Sequence, residues 1–594
     1  MIYHLFLEQV DSVGLFVVDM GDSGRVSELK GVREGLTPGQ PHFSKDGNHI
    51  VYTGWESLPR KLGMIYCYQR PCNLFAAPTQ GLFKDEETQE GQKNMPSPKP
   101  DVEGIDQSED MLPCHICLCP SWRLAHSARF SPCGEQVIWL SREEGFDTHS
   151  GCFRMTIAQW DSKTGDFAGS PRTLVDVVTD VDESGKNSFP GLWLDDLPDA
   201  CWSTDGLWIY LTSAWGSRES VTRVNVKTGE VSRVKAALLA AGQDQTAMAD
   251  ASAAVLATCS RGVLVCASSP NSPGGFAMLS TESGSDEVSV GPAVGVAAIT
   301  SSIRVSRSRS EELRGLVAGI SWRVLDVPSG TDGSEGPPFE AILLQPQESL
   351  QEEAKRVPLV VVPHGGPHGV MPTAFVPAYA YLCASQKLAI LHVNFRGSTG
   401  FGTTALESLP GKIGCQDVAD VVAAVQVALA AEPDALDPER VGVVGGSHGG
   451  FLGAHLSAQY PDLFKVAALR NPVTNIASMV TVSDIPDWCY IEALGIGSYE
   501  WDSFSTPTAD ELRRMWEASP VAHIKGVRAP TLIAIGKKDR RVPASQGIEW
   551  YHALKSKDVP SKLLIYPEDV HAIDKPASEA DHWVSISKWI QKYI

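Results

Sequence analysis

Uninterrupted apolar runs alternate with helix-like stretches through the second half of the chain. Five runs have the strand-like pattern: VPLVVVPHGG, LAILHVNF, RVGVVGG, VAALRNP and APTLIAIG. Between them, residues 416–432 have the small and apolar spacing of a helix. Strands that are apolar at every position are buried on both faces, as in a parallel sheet covered by helices. The pattern predicts a doubly wound, mostly parallel α/β domain over residues 339–594.

The first half has a different pattern, in which a short strand-turn-strand unit recurs. Three segments place a serine-led turn before an alternating strand: HFSKDGNHIVYTG (42–54), RFSPCGEQVIWLS (129–141) and CWSTDGLWIYLTS (201–213). Two others place Lys-Thr-Gly between strands: MTIAQWDSKTGDFAG (155–169) and VTRVNVKTGEVSRV (221–234). Glycine in such turns favours a hairpin. Recurring short strands predict a β-propeller over residues 1–327, with a β-sandwich as the alternative.

Two polar stretches interrupt these patterns. Residues 84–110 contain almost no large apolar side chain and predict a solvated loop. Residues 328–338 are rich in Pro, Gly and Ser and predict a linker between the domains. At roughly 45 residues per blade, the first domain has room for about five or six blades. The chain starts directly in strand-like sequence, so we expect an incomplete propeller.

Composition and charge narrow the classes of function. The chain has 594 residues and a net charge of -21, which argues against nucleic-acid binding because phosphates require clustered Lys and Arg. No apolar run is long enough to span a bilayer, and no signal peptide is evident, so we expect no membrane partner. The 13 cysteines lack a regular spacing and fit reduced thiols in the cytoplasm. The CHICLC segment (114–119) is interpreted as buried thiols, with a metal site as the alternative.

The GGSHG segment, Gly445–Gly449, lies between a predicted strand and a predicted helix. A G-x-S-x-G sequence in this position is the nucleophile elbow of an α/β-hydrolase, where a strained turn requires small residues around the serine. A phosphate-binding loop is excluded because no lysine follows the glycines. A structural glycine turn remains as the alternative. The pattern predicts Ser447 as a nucleophile.

A serine nucleophile requires a base and an acid that orients the base. In this fold the chain order is serine, carboxylate, histidine. Asp539 follows the strand-like APTLIAIG run, and His571 follows another strand-like run. Active sites of open α/β sheets collect at such strand ends. We therefore predict Asp539 and His571 as the partners of Ser447.

The HGGPHG segment, His364–Gly369, directly follows a predicted strand. Loops of this type supply a backbone N–H to the oxyanion hole, and the residue after the nucleophile supplies another. We predict Gly369 and His448 as these donors. Because the histidines of this segment have no clustered carboxylate and no H-x-x-H motif, we expect no metal and no cofactor.

These motifs, together with VNFRGSTGFG (393–402), NPV, IPDW (485–488), DRRVP and VHA, resemble the prolyl oligopeptidase family of serine peptidases, and within it the acylaminoacyl-peptidases. The resemblance implies a propeller that caps the hydrolase, a Ser447–Asp539–His571 triad, and release of an N-acylamino acid from short N-acylated peptides. It also implies a homo-oligomer. Arg396 and Arg470 are candidate peptide contacts, with a structural ion pair as the alternative for each.

Two other functions remain open at this point. The first is a general oligopeptidase or esterase of the same family. The second is a shortened scaffold whose propeller recruits partners while its triad is idle.

Overall fold

Short strands in mostly antiparallel sheets make up the N-terminal part of the protein, and a mixed sheet covered by helices makes up the C-terminal part. The computed structural model describes residues 2–3, 14–18, 26–57, 59–65, 67, 69–80, 82, 115–144, 147–181, 188–234, 251–279, 290–291, 307–329, 336–351 and 355–594. The chain divides into two compact units. The first comprises Met1–Lys61, Arg70–Gly145 and Arg154–Leu174, and the second comprises Leu62–Gln69, Phe146–Phe153 and Val175–Ile594.

The first unit contains a small sheet in the order β1-β2-β3 and a larger one whose main path is β11-β10-β9-β8-β6-β5-β4, with β7 and β12 at its sides. Its strands are β1 Ile2–Tyr3, β2 Phe16–Val18, β3 Val26–Glu28, β4 Leu36–Phe43, β5 His49–Glu56, β6 Cys72–Pro78, β7 Ile116–Cys117, β8 Leu124–Phe130, β9 Gln136–Arg142, β10 Arg154–Asp161, β11 Asp166–Phe167 and β12 Arg172–Val175.

The predicted serine-led turns form as hairpins or bridges. In the first of them, the Ser44 N–H donates to the His49 carbonyl oxygen at 2.8 Å, and the Gly47 N–H donates to the Ser44 carbonyl oxygen at 2.9 Å. Gly47 has a φ of 74°, a value that glycine adopts readily and residues with a side chain rarely adopt. The same bonds recur at the turns that start at Ser131 and Ser203. The local hairpin predictions are therefore confirmed.

The structure does not test how these strands are arranged as a whole. Within the described residues no sheet closes on itself, and the predicted propeller stays a prediction. The 84–110 loop, Cys114 and much of the 328–338 linker lie outside the described residues. Cys117 ends β7 and is half-buried, and Cys119 lies beyond the strand and is buried; burial raises the pKa of both thiols.

The second unit begins with two further antiparallel sheets. One contains β13 Trp208–Ala214, β14 Glu219–Asn225 and β15 Val231–Arg233, and the other contains β16 Ser252–Cys259, β17 Gly262–Ser269, β18 Ser272–Leu279 and β19 Val290–Gly291. Helix α1, Arg307–Ala318, follows them.

The remaining strands of the second unit form one sheet in the order β20-β21-β23-β22-β24-β25-β26-β27. The pairs from β23 to β27 along this order are parallel, and β20 and β21 add antiparallel pairs at one edge. The strands are β20 Ile320–Val327, β21 Phe339–Pro346, β22 Val357–Pro363, β23 Ala389–Asn394, β24 Leu436–Gly446, β25 Phe464–Arg470, β26 Thr531–Gly536 and β27 Ser561–Tyr566.

Helices cover both faces of this sheet. They are α2 Pro377–Ala384, α3 Thr403–Glu407, α4 Gln416–Ala431, α5 His448–Gln459, α6 Ile476–Met479, α7 Pro486–Leu494, α8 Ala509–Glu517, α9 Ser545–Lys555 and α10 Pro576–Tyr593, with 3-10 turns at Gln347–Leu350 and Pro520–Gly526. The bounds of α4 match the predicted helix closely. None of the described helices combines the length and the apolar character needed to cross a bilayer.

Alternate residues of the parallel strands point into two separate cores. Leu359 and Val361 of β22 pack in the core that includes α4 and α5, whereas Val360 and Val362 pack in the core that includes α2 and α10. All four side chains are almost fully buried, which explains why the strand is apolar at every position. The predicted doubly wound sheet is confirmed. The predicted boundaries stay a prediction, although β20, assigned to the first domain, pairs along its whole length with β21.

His392 and His455 are two of the buried histidines of this unit whose pKa is lowered most strongly. Burial lowers the pKa of His392, on β23, to about 3, and burial also lowers the pKa of His455, on α5, to about 3. In an unfolded chain the histidine pKa is about 6.5. Between pH 6.5 and 4 the unfolded chain therefore binds protons that the folded chain does not, and stability falls as the pH is lowered.

We predict that the substitution His455→Gln weakens this acid sensitivity. Between pH 7 and 5, above the range where most carboxyl groups titrate, the free energy of unfolding should lose on average about 1 kcal/mol less per pH unit than in the unsubstituted protein, because the proton that the unfolded-state histidine takes up with a pKa of about 6.5 is no longer involved. Urea unfolding followed at several pH values measures the slope. Identical slopes for the two proteins would contradict the prediction.

Candidate functional site

Ser447 occupies a strained turn between β24 and α5. Its φ of 58° and ψ of -122° lie in a region that residues with a side chain rarely adopt. The Ser447 N–H donates to the Arg470 carbonyl oxygen at 2.9 Å, which ties the turn to the neighbouring strand β25. The serine is therefore held at the strand end, where the sheet meets the N-terminus of α5.

The glycines around Ser447 are required by close backbone approach. A Cβ atom at Gly445 would overlap the Gly449 carbonyl group, and a Cβ atom at Gly449 would overlap the Pro363 carbonyl oxygen of β22. Backbone atoms cannot move aside as a flexible side chain can. The prediction that the positions two before and two after the serine must be small is confirmed.

The structure brings the three predicted polar side chains into one line. His571 Nε2 lies 3.0 Å from Ser447 Oγ, and His571 Nδ1 lies 2.6 Å from Asp539 Oδ2. The other Asp539 carboxylate oxygen accepts from the N–H groups of Arg541 and Val542, each at 2.9 Å. Asp539 is buried, while His571 is half-buried and reaches the surface of a cavity. This arrangement can move a proton from the hydroxyl to the imidazole.

Asn471, which sequence reasoning did not single out, holds the loop that carries His571. The Asn471 side-chain amide donates to the His571 carbonyl oxygen at 2.6 Å and accepts from the Gly536 N–H at 2.9 Å. Its φ of 40° turns the chain directly after β25. The only sequence signal was its place in the quoted RNP and NPV segments, next to a strand end.

His448 places its N–H group and its imidazole in different environments. The imidazole is fully buried, and its Nε2 lies 2.9 Å from the Asp417 carboxylate of α4, which also accepts from the Gly414 N–H at 2.7 Å. The backbone N–H belongs to the first residue of α5 and has no intrahelical acceptor. The side chain therefore anchors the turn, and the backbone group remains available as a donor.

The loop after β22 packs against the serine. Gly365 lies so close that an added Cβ would sit 3.5 Å from Ser447 Cβ. The Gly369 N–H, predicted as an oxyanion donor, instead donates to the Pro367 carbonyl oxygen at 3.0 Å, because a tight turn closes between these residues. The Gly366 N–H has no acceptor within the described residues, and the Gly366 carbonyl accepts from Trp488 Nε1 at 2.9 Å. Of these two N–H groups, only that of Gly366 is therefore unbonded within the described part of the chain.

The two predicted arginines differ in their surroundings. Arg396 forms a buried ion pair with Asp420 of α4, at 2.6 Å between Nη2 and Oδ1, and its side chain is 2% exposed. This geometry corresponds to the structural alternative and not to a peptide contact. Arg470 lines the same cavity as Ser447, and its Nη1 donates to the Ala572 carbonyl oxygen at 3.2 Å. Its role as a peptide contact stays a prediction.

A cavity of about 890 Å³ adjoins the serine. Its wall includes Ser447, His571 and Arg470, and it continues into an apolar region lined by Val473, Met479, Ile485, Trp488 and Val542. Carboxyl groups of Asp195 and Glu219 also line it, and burial raises the pKa of both. The volume fits a ligand the size of a short peptide.

The stability of an Arg396 variant tests whether this arginine has a structural role. We expect the substitution Arg396→Met to lower the free energy of unfolding by about 3–5 kcal/mol, because it leaves the buried Asp420 carboxylate without its countercharge and with only the backbone N–H of residue 396 as a donor. The double variant Arg396→Met/Asp420→Leu should recover most of this loss. Urea unfolding measures both. A single variant of unchanged stability that binds peptide more weakly would contradict the structural role.

Comparison with known proteins assigns the chain to a family. Residues 374–594 match the prolyl oligopeptidase family, and residues 11–287 match the N-terminal domain of acylamino-acid-releasing enzymes. The acylamino-acid-releasing enzyme of Arabidopsis thaliana is 36% identical over 589 residues, covering 98% of this chain and 71% of the relative. The corresponding enzyme of Homo sapiens is 33% identical over 582 residues, covering 98% and 69%.

Solved structures share the fold. A puromycin-hydrolyzing peptidase of Mycobacterium tuberculosis has a TM-score of 0.66 at 18% identity and covers 100% of this chain and 84% of its own. The acylaminoacyl peptidase of Pyrococcus horikoshii has a TM-score of 0.51 at 14% identity and covers 98% and 91%. The family match and the identity to these relatives show that the chain belongs to the acylamino-acid-releasing enzymes, which are serine peptidases of the prolyl oligopeptidase family.

Proposed function

We propose that this chain hydrolyses the first peptide bond of short N-acylated peptides and releases an N-acylamino acid. The observation that carries the proposal is the line of hydrogen-bonding distances from Ser447 through His571 to Asp539 at the wall of a peptide-sized cavity. The names of the curated relatives supply the substrate class.

The proposed reaction has two steps. His571 Nε2 takes the Ser447 hydroxyl proton while Oγ attacks the carbonyl carbon of the acylated residue. The tetrahedral intermediate expels the shortened peptide as an amine, which receives the proton from His571, and an ester to Ser447 remains. Water, deprotonated by His571, then attacks this ester and releases the N-acylamino acid. Asp539 keeps the imidazole in the required tautomer and stabilises its charge.

The oxyanion of each intermediate would accept from two backbone N–H groups. We assign these to His448 and Gly366, in place of the predicted Gly369, whose N–H is already bonded to Pro367. Both assigned groups flank Ser447, one on α5 and one on the loop that packs against the serine. Loss of one such donor costs about 2.7–4 kcal/mol of transition-state stabilisation.

An acylated terminus carries no charge, which suits the apolar part of the cavity lined by Val473, Met479, Ile485, Trp488 and Val542. Arg470 is proposed as a contact for a peptide carbonyl. The carboxyl groups of Asp195 and Glu219 could instead attract a free ammonium group, so the choice between blocked and free termini requires a direct test. Assembly into a homo-oligomer, a cytoplasmic location and the absence of nucleic-acid or membrane partners stay predictions.

We expect the protein to cleave an acetyl-alanyl chromogenic amide faster than the free alanyl amide, because only the blocked terminus avoids burying an ammonium group. Ser447→Ala should lose about 10⁴-fold or more in kcat and should not be labelled by a fluorophosphonate that labels the unsubstituted protein. Faster turnover of the free amine would favour a general oligopeptidase. If the fluorophosphonate labels neither protein, an idle scaffold would be favoured.

We expect the substitution Asn471→Gly to lower kcat by about 10²-fold with little change in KM. Glycine keeps the turn at φ 40° but removes both side-chain hydrogen bonds, so the His571 loop loses its support. Asn475→Gly is the matched control, because its side chain caps the short helix α6 at the surface. Unchanged kcat in Asn471→Gly would contradict the positioning role.

A further inference from the structure

Three side chains of metal-ligating type meet beside the cavity, and two of them, both histidines, line it. His149 comes from the segment 147–150, His368 from the loop after β22, and Glu492 from α7. Glu492 Oε1 lies 3.0 Å from His368 Nε2 and 3.9 Å from His149 Nδ1. Their donor atoms all lie within 4.8 Å of one another. The mechanism proposed above uses none of these side chains.

The spacing of these atoms suits a tetrahedral transition-metal ion. Zinc binds imidazole nitrogen at about 2.0–2.1 Å and carboxylate oxygen at about 2.0–2.2 Å, so tetrahedral ligand atoms lie about 3.4 Å apart. The two measured distances to Glu492 Oε1 fall on either side of this value. Small rotamer adjustments of His149 would close the set, and the fourth position would face the cavity that both histidines line.

The surroundings orient the ligands. His368 Nδ1 lies 2.8 Å from the Gly397 carbonyl oxygen, which can accept only if Nδ1 carries a proton, and this directs Nε2 toward Glu492, where a proton or a metal ion can occupy it. Asp147 anchors the His149 segment by accepting from the Gly497 N–H at 2.6 Å and from Trp501 Nε1 at 3.0 Å.

An unsatisfied polar atom also points to a ligand. The Glu492 side chain is 1% exposed, and its Oε2 atom has no hydrogen-bond partner among the residues that the structure describes. An orphaned carboxylate oxygen in the protein interior is costly. A bound cation would compensate for this cost.

We propose that His149 Nδ1, His368 Nε2 and the Glu492 carboxylate bind one divalent transition-metal ion of the zinc class. This proposal differs from the sequence-based expectation of no metal, which considered the CHICLC segment and the histidines of the 364–369 loop. Sequence spacing could not reveal the set, because its members are separated by 219 and 124 positions along the chain. The inference concerns metal binding alone and is independent of the peptidase proposal.

A proton competes with the metal at this site. Burial lowers the pKa of His368, but the carboxylates of Glu492 and Glu407 more than offset this effect and raise it. Without metal, the site is then an ion pair between His368 and Glu492. Metal affinity should fall as the pH is lowered, since the ligand imidazole must be deprotonated.

Titration of the chelator-treated full-length protein with Co²⁺ and Zn²⁺ tests the proposal. We expect one equivalent of Zn²⁺ per chain by equilibrium dialysis, and visible absorption bands of four-coordinate cobalt without a thiolate charge-transfer band. This titration requires only the unsubstituted protein, so its result does not depend on whether a variant folds. A thiolate band, or no bound equivalent, overturns the site.

Variants assign the ligands. His149→Gln and Glu492→Gln should each lower the affinity at least tenfold, with thermal unfolding of the metal-free proteins used to confirm that each variant is folded. His552→Ala, at an exposed position of α9, is the matched control and should bind as the unsubstituted protein does. Undiminished binding in both ligand variants, or loss of binding in the control alone, overturns the assignment.

Discussion

Close backbone approach around Ser447 is the constraint on which the rest of the site depends. The first turn of α5 lies against β22 with no room for a side chain at Gly445 or Gly449. This contact fixes the serine at a positive φ and directs the N-terminus of α5 toward the space above the strand end. A single added methyl group would push helix and sheet apart and move the hydroxyl away from His571.

The parallel sheet supplies the second requirement, which is that distant segments end at one edge. β26 and β27 carry Asp539 and His571 to the same edge as Ser447, because parallel neighbours all end there. Asn471 then bonds to both the His571 loop and the end of β26. The two apolar cores on either face of the sheet hold these strand ends still, so short hydrogen bonds can persist between loops.

Local patterns predicted much of this from sequence. Unbroken apolar runs gave the central strands, residues 416–432 gave α4, and the elbow motif with chain order gave the three side chains that the structure brings together. Contacts between distant segments could not be predicted in this way. The partner of Arg396 lies one turn into a helix, the donor at Gly369 is occupied by a local turn with Pro367, and His149 meets Glu492 only in the folded chain.

The most direct measurement is a crystal structure of the chain inactivated by an N-acetyl-alanyl phosphonate. The account predicts phosphorus bonded to Ser447 Oγ, His571 within hydrogen-bond distance of the adduct, and the phosphoryl oxygen about 2.7–3.1 Å from the backbone nitrogens of His448 and Gly366. An adduct on any other residue, or a phosphoryl oxygen directed away from both nitrogens, would contradict the claim that this turn builds the reactive centre.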